Sequence, residues 1–213
     1  MQIYDLGPAE IEAKSFEILT AELKEKGVVL SGDTAPVIKR CIHTTADFEY
    51  ADTLVFSENA VERLKELIRS GADIVTDTNM GLSGINKKEL GKYGGEVICY
   101  MADEEVARIA KERGVTRASV SMERAMLSQK PIIFAVGNAP TALITLYNSY
   151  IEGAYKPAFV IGVPVGFVNV EAAKEMIIST DIPHIVNRGR KGGSNVAAAI
   201  CNAVLYDMRQ ETV

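Results

Sequence analysis

The segment Pro131-Ile132-Ile133-Phe134-Ala135-Val136-Gly137-Asn138-Ala139-Pro140-Thr141 decides the fold of this chain. Ile132 to Val136 is apolar throughout, without the alternation of a half-exposed strand, so it reads as a strand buried on both faces. Gly137-Asn138-Ala139 is turn chemistry. Pro140 suits the first turn of a helix, where its fixed φ and missing N–H cost nothing. Residues 131 to 151 carry no charge and are long enough to span a bilayer. The turn in their middle argues instead for a strand, a tight loop and a helix, and no membrane partner is expected.

The same rhythm extends in both directions. Short apolar runs at Asp73–Thr76, Glu96–Tyr100, Ala158–Ile161 and His184–Val186 read as further strands. Helical patterns follow at Asp103–Arg113, Glu171–Ser179 and Ser194–Met208. Alternating strands and helices predict an α/β fold with a parallel sheet flanked by helices. Upstream, a helix is expected from Pro8 to Lys26, with Ile11, Ser15, Ile18, Ala21 and Leu23 recurring along it and Gly27 just past its end. Asp33 or Thr34 can cap a second helix running through His43, with Val37, Ile38, Cys41 and Ile42 as its apolar stripe. Ser57 to Gly71 reads as a third, with Val61, Leu64, Leu67 and Ile68 on one side. One α/β domain over residues 1–213, with extra N-terminal helices at about 8–71 packed on it, is the economical organisation.

A net charge of −5 argues against nucleic-acid binding, which needs a basic footprint, but leaves room for an anionic ligand held by local cations. Cys41, Cys99 and Cys201 are far apart and form no metal or disulfide pattern. They read as reduced, mostly buried thiols. Met1 to Asp5 lacks the basic and apolar regions of a signal peptide, and a cytoplasmic location is expected.

In parallel sheets, ligands bind beyond the carboxyl ends of the strands. The loops expected there are rich in glycine and small polar residues: Thr76–Gly81, Gly137–Thr141, Gly162–Gly166 and Arg188–Asn195. Glycine permits close backbone approach to a ligand, so a broad pocket is expected on that rim.

His43 is one of only two histidines. On a helix, Arg40, His43 and Asp47 share a face opposite the apolar stripe. Imidazole can donate and accept a proton near neutral pH, and Arg40 can hold a carboxylate bidentately. A surface histidine at a helix end is the plain alternative. His184 opens a buried strand and reads as structural. The two are too far apart for a metal site, and no protein-bound metal or other cofactor is expected. Arg188-Gly-Arg-Lys-Gly-Gly-Ser-Asn195 is a basic glycine-rich loop opening a helix, where Arg188, Arg190 and the helix amides can receive carboxylate or phosphate. Ser194 or Asn195 could equally be a plain cap, although the basic cluster exceeds what a cap needs. Asn138 or Thr141 could touch a ligand, while turn geometry alone explains most of their segment. Dinucleotide, P-loop and hydrolase-elbow fingerprints are absent from the sequence.

Arg40-Cys-Ile-His43, Gly137-Asn-Ala-Pro-Thr-Ala-Leu143, Gly162-Val-Pro-Val-Gly-Phe-Val168 and Arg188-Gly-Arg-Lys-Gly-Gly-Ser194 together resemble the precorrin-8X methylmutase family, which includes the cobalt-precorrin-8 methylmutases. The resemblance runs from Ile11 to Leu205. It implies a flavodoxin-like sheet, a homodimer, and migration of a methyl group from C-11 to C-12 of a corrin precursor, giving hydrogenobyrinate or its cobalt form. It also implies that His43 is the acid–base residue and that Ser15, Arg40 and Arg117 contact the substrate. Any cobalt would be carried by the substrate. One departure is visible: many members continue after the third motif with Gly-Ala-Ala-Glu-Ser-Lys, where this chain has Asn169-Val-Glu-Ala-Ala-Lys174.

The residues fit such a role. A polycarboxylate macrocycle needs room and scattered cations, and a methyl shift needs a fixed tautomer more than a cofactor. A noncatalytic tetrapyrrole carrier and a phosphate-binding α/β enzyme using the Arg188–Asn195 loop are the competing readings. A cobalamin-binding domain fits less well, because Asp181-Ile-Pro-His184 lacks the D-x-H spacing.

Overall fold

The computed structural model describes residues 7–211, so the reading of Met1–Asp5 and the extreme ends of the chain lie outside the described residues. The elements are α1 (Pro8–Glu25), α2 (Thr34–Thr45), α3 (Tyr50–Thr53), β1 (Leu54–Phe56), α4 (Ala60–Arg69), β2 (Asp73–Thr76), α5 (Asn79–Gly84), α6 (Lys87–Gly91) and β3 (Val97–Ile98). They continue with α7 (Glu104–Arg113), α8 (Arg117–Ala125), β4 (Ile132–Val136), α9 (Pro140–Ile151), β5 (Phe159–Gly162), α10 (Val170–Ile178), β6 (His184–Asn187) and α11 (Ser194–Glu211). Among the described residues, no helix is long and apolar enough to cross a membrane.

The six strands form one sheet in the order β1-β6-β5-β4-β2-β3. From β2 onward every pairing is parallel. Counted among themselves from the β3 edge, the parallel strands run 2-1-3-4-5, the doubly wound flavodoxin order, with its switch point between β2 and β4. β1 corrects the expectation of a wholly parallel sheet: it pairs antiparallel with β6, Val55 opposite Val186. The N-terminal region thus contributes a strand as well as helices. Three residues are too few to show a period, and Ser57, expected to open a helix, instead extends this pairing. Its amide donates to the His184 carbonyl at 3.0 Å, and its hydroxyl accepts from the His184 amide at 2.9 Å.

β2, β4, β5 and β6 are buried on both faces, as their apolar runs required, whereas the edge strand β3 is half-buried. Ile74, Ile133, Phe159, Ile161 and Ile185 pack under α2, α4 and α11, with Leu19 and Leu23 of α1 joining the same core. Val75, Phe134, Val136, Val160 and Val186 pack under α8, α9 and α10. Val37, Ile38, Cys41 and Ile42 are all buried on α2. On α1 the expected stripe is corrected: Ile11 and Ile18 are exposed, and Leu19 and Leu23 make the contact. α1 is an outer layer that meets the protein along one narrow line, so few of its apolar positions find a partner.

Side-chain caps close the starts of α5, α6, α7 and α8, through Thr78, Asn86, Asp103 and Thr116. The Gly7 amide donates to Glu10 Oε2 at 2.8 Å, and Asp103 Oδ1 accepts from the Glu105 amide at 2.9 Å. Asp33 occupies the N-cap position of α2, but its side chain makes no capping bond. His184 is structural as expected: it is buried, and its Nδ1 donates to the Ile182 carbonyl at 2.8 Å. Burial holds its pKa below the usual range, with that carbonyl opposing. Cys41 and Cys201 are buried thiols pushed up to about 12 by burial, whereas Cys99 is only half-buried.

Candidate active site

Two regions carry the expected site residues. The first is a furrow between α1 and α2. Ser15, Ile18, Leu19, Glu22, Ile42, His43, Ala46 and Phe48 line a cavity of about 180 Å³ there. The His43 imidazole stacks on the Phe16 ring, with centroids 4.9 Å apart and planes within 8°. The Arg40 guanidinium lies 4.7 Å from the same ring and 5.3 Å from that of Tyr206. Its Nη1 donates to Glu12 Oε1 at 2.6 Å, and this bond is the main reason the Glu12 carboxyl is held below its ordinary range. Arg40 also borders a neighbouring cavity of about 510 Å³, together with Lys39, Ser31, Tyr206 and Gln210.

His43, Arg40 and Ser15 are thus brought together. Asp47 is not on their helical face: α2 ends at Thr45, and Ala46 adopts φ 54°. That turn redirects Asp47 to Lys191 Nζ, which donates to its Oδ2 at 2.6 Å. Phe16, which organises both Arg40 and His43, was not anticipated. Its signal was there to read, since an aromatic beside Ser15 on a helix otherwise poor in core residues invites a surface role.

The second region is the rim at the carboxyl ends of the strands. Just beyond β2, the buried Asp77 carboxylate accepts from three successive amides, those of Gly137 (2.8 Å), Asn138 (2.8 Å) and Ala139 (2.6 Å). Burial raises its pKa, and the three amides oppose that rise. The amide cluster at the start of α9, a natural anion receiver, is therefore filled by the protein's own carboxylate. Asn138 is exposed, and Thr141 bonds Thr116 through their hydroxyls at 2.8 Å. Two glycines expected to give a ligand room serve loop packing instead. A Cβ on Gly137 would lie 2.6 Å from Ser194 Cα, and one on Gly192 would lie 2.1 Å from the Val163 carbonyl oxygen.

The basic loop is anchored from below. Lys174, fully buried on α10, donates to the carbonyls of Gly189 at 2.7 Å and Lys191 at 2.8 Å. Asn187 Nδ2 also donates to the Lys191 carbonyl, at 2.9 Å. Ser194 is no helix cap; its hydroxyl lies 2.7 Å from that of Thr78. The three cations of the loop each have a carboxylate partner: Arg188 with Glu175 at 3.0 Å, Arg190 with Glu171 at 3.0 Å, and Lys191 with Asp47 and Glu49. Arg190 also lies 5.6 Å from the exposed Phe167 ring. The Lys191–Asp47 bond joins the loop to the end of α2, four residues beyond His43. Arg117 is exposed at the start of α8, on the opposite face of the sheet, and is not brought to His43 within one chain. No cluster among the described residues has the three His, Cys, Asp or Glu needed for a metal ion.

These residues do not stand alone. A family model described as precorrin-8X methylmutase matches residues 10–207. The chain is 44% identical to the cobalt-precorrin-8 methylmutase of Salmonella typhimurium over 95% of its own length and 97% of that protein. It is 35% identical to the precorrin-8X methylmutase of Pseudomonas aeruginosa, covering 91% and 93%. The solved structure of the precorrin-8X methyl mutase of Thermus thermophilus is similar to it with a TM-score of 0.84 at 37% identity, over 95% of this chain and 99% of that one. One matching model spanning both the α1–α2 furrow and the rim, with relatives covered almost end to end, establishes that the chain belongs to the precorrin-8X methylmutase family.

Proposed function

We propose that the chain moves a methyl group from C-11 to C-12 of precorrin-8X or cobalt-precorrin-8, giving hydrogenobyrinate or cobyrinate. Membership of a methylmutase family makes it an isomerase, and the observation that carries the rest is the shared placement of Arg40 and His43 against Phe16. An isomerisation conserves every atom, so the protein must hold one tautomer and return any proton it takes. A single imidazole beside the ring can do both. Stacking on Phe16 limits its rotation, which favours one approach to the substrate. Ser15 supplies a hydroxyl in the same furrow, and Arg40 supplies a guanidinium for a substrate carboxylate. Asn138, Arg188 and Arg190 meet the substrate at the rim.

No cofactor is required in this reading, and cobalt enters only as part of the substrate. The furrow of about 180 Å³ is small for a tetrapyrrole, so it receives one edge of the macrocycle. We infer that a second copy of the chain supplies a further wall, including Arg117, in a homodimer. A cytoplasmic site of action fits the free thiols.

The test is anaerobic incubation with precorrin-8 or its cobalt form, recording visible absorption and product mass. A spectral change at constant mass, lost in His43→Ala while binding persists, is the expected result. Unchanged substrate recovered from a coloured complex would make the chain a carrier instead.

A further inference from the structure

We propose that Glu12 is a placeholder for a substrate carboxylate: it occupies the Arg40 guanidinium between turnovers and is displaced when the tetrapyrrole binds. The proposal rests on the reading of Arg40 as a substrate contact and adds a residue that sets affinity and ligand choice there.

The two partners differ in freedom. The Arg40 side chain is only 21% exposed and lies against two rings, Phe16 and Tyr206. The Glu12 side chain is 52% exposed, on the outer helix of the fold. The guanidinium is therefore preorganised, while the carboxylate can swing into water at little cost. Exposed ion pairs of this kind are weak, so exchange is cheap. Replacing one carboxylate by another also keeps Arg40 neutralised throughout, so a partly buried cation is never left alone.

A looser pair of the same groups lies at the rim, where the arginine is itself 59% exposed. Arg190 lies against Phe167 and bonds the exposed Glu171 at 3.0 Å. Two arginines, each against an aromatic ring and each holding an exposed glutamate, suit a ligand that carries several carboxylates. A ligand with an ester or amide at the matching position could not displace Glu12, so the pair would discriminate against it.

The alternative is that Glu12 merely clamps α1 to α2. Equilibrium titration of the full chain with the tetrapyrrole substrate, read by absorption, separates the two. A placeholder predicts that Glu12→Gln tightens Kd by up to about five-fold, since a competing ion pair is removed. It further predicts that Arg40→Gln weakens Kd, and that Glu12→Gln has no effect in the Arg40→Gln background. Weaker binding by Glu12→Gln, with a lower melting temperature, would mean a clamp and overturn the proposal. If Arg40→Gln leaves Kd unchanged while the native chain still converts substrate, the placeholder fails and the methylmutase reading stands. If the native chain binds but does not convert, tighter binding by Glu12→Gln still supports the placeholder. No binding by the native chain overturns both.

Discussion

The buried ammonium of Lys174 donates to the carbonyl oxygen of Lys191 across 2.8 Å, tying α10 to the loop that carries Arg188, Arg190 and Lys191. Burial lowers the Lys174 pKa to about 8, with Glu171 opposing. Unfolded, the group titrates at about 10.4. Between those values the unfolded chain holds a proton that the folded chain does not, so this group makes stability rise with pH across the window and penalises folding below it. Urea unfolding of the native chain from pH 7 to 10, compared with Lys174→Met, should show that rise only in the native chain. At pH 7 Lys174→Met removes the ammonium donor from the Gly189 carbonyl and leaves the Lys191 carbonyl with Asn187 alone, and its KM should rise several-fold as the loop loosens. An unchanged KM in a folded Lys174→Met would mean that the strut does not govern the loop.

Asp77 fills three amides at the switch point of the sheet. Asp77→Ala removes the acceptor from all three, and leaving the buried Gly137 amide unsatisfied costs roughly 1–3 kcal/mol. Asp77→Asn keeps one oxygen acceptor and its shape, and its lack of charge avoids the burial cost that raises the native carboxyl's pKa. The asparagine variant should therefore lose clearly less stability than the alanine variant, measured by denaturant midpoint at pH 7. Equal losses would mean that charge, rather than donor satisfaction, is what the turn needs.

Gly137 is a contact point between β4 and α11. A methyl group there meets Ser194 backbone at 2.6 Å and 2.7 Å, and backbone cannot give way as a side chain would. Gly137→Ala should cost about 1–3 kcal/mol by overpacking. It should also disturb the Thr78–Ser194 bond, and amide exchange in the first turn of α11 should rise. Normal protection there would show that the strain is absorbed elsewhere.

The departure at residues 169–174 has a physical reading. Asn169 adopts φ 60°, a left-handed conformation that costs most residues roughly 1–2 kcal/mol but that asparagine and glycine tolerate. Asn169, standing where the family resemblance implies glycine, makes the turn without a glycine. Asn169→Gly should be close to neutral, and Asn169→Ala should lose on the order of 1 kcal/mol in thermal or denaturant unfolding. Equal stability for both would remove backbone conformation as the reason.

The sequence by itself did not determine α5, α6 or α8, but it determined the parallel strands, the helices α7, α9, α10 and α11 that follow them and the buried stripe of α2. These follow from periodicity and from breakers such as Gly137 and Pro140, which act over a few residues. It also singled out His43, as one of only two histidines, and Arg40 one helical turn before it. Only the tertiary structure decided that β1 would close the sheet edge antiparallel, since three residues show no period until β6 lies beside them. Only contact in space turned Gly137 and Gly192 from expected ligand clearance into loop packing, filled the α9 amides with Asp77, and placed Phe16 against both His43 and Arg40. Only there, too, did Arg117 fall on the far face of the sheet. Each of these depends on partners tens of residues away or more in the chain, and a local pattern contains no record of which distant group will arrive.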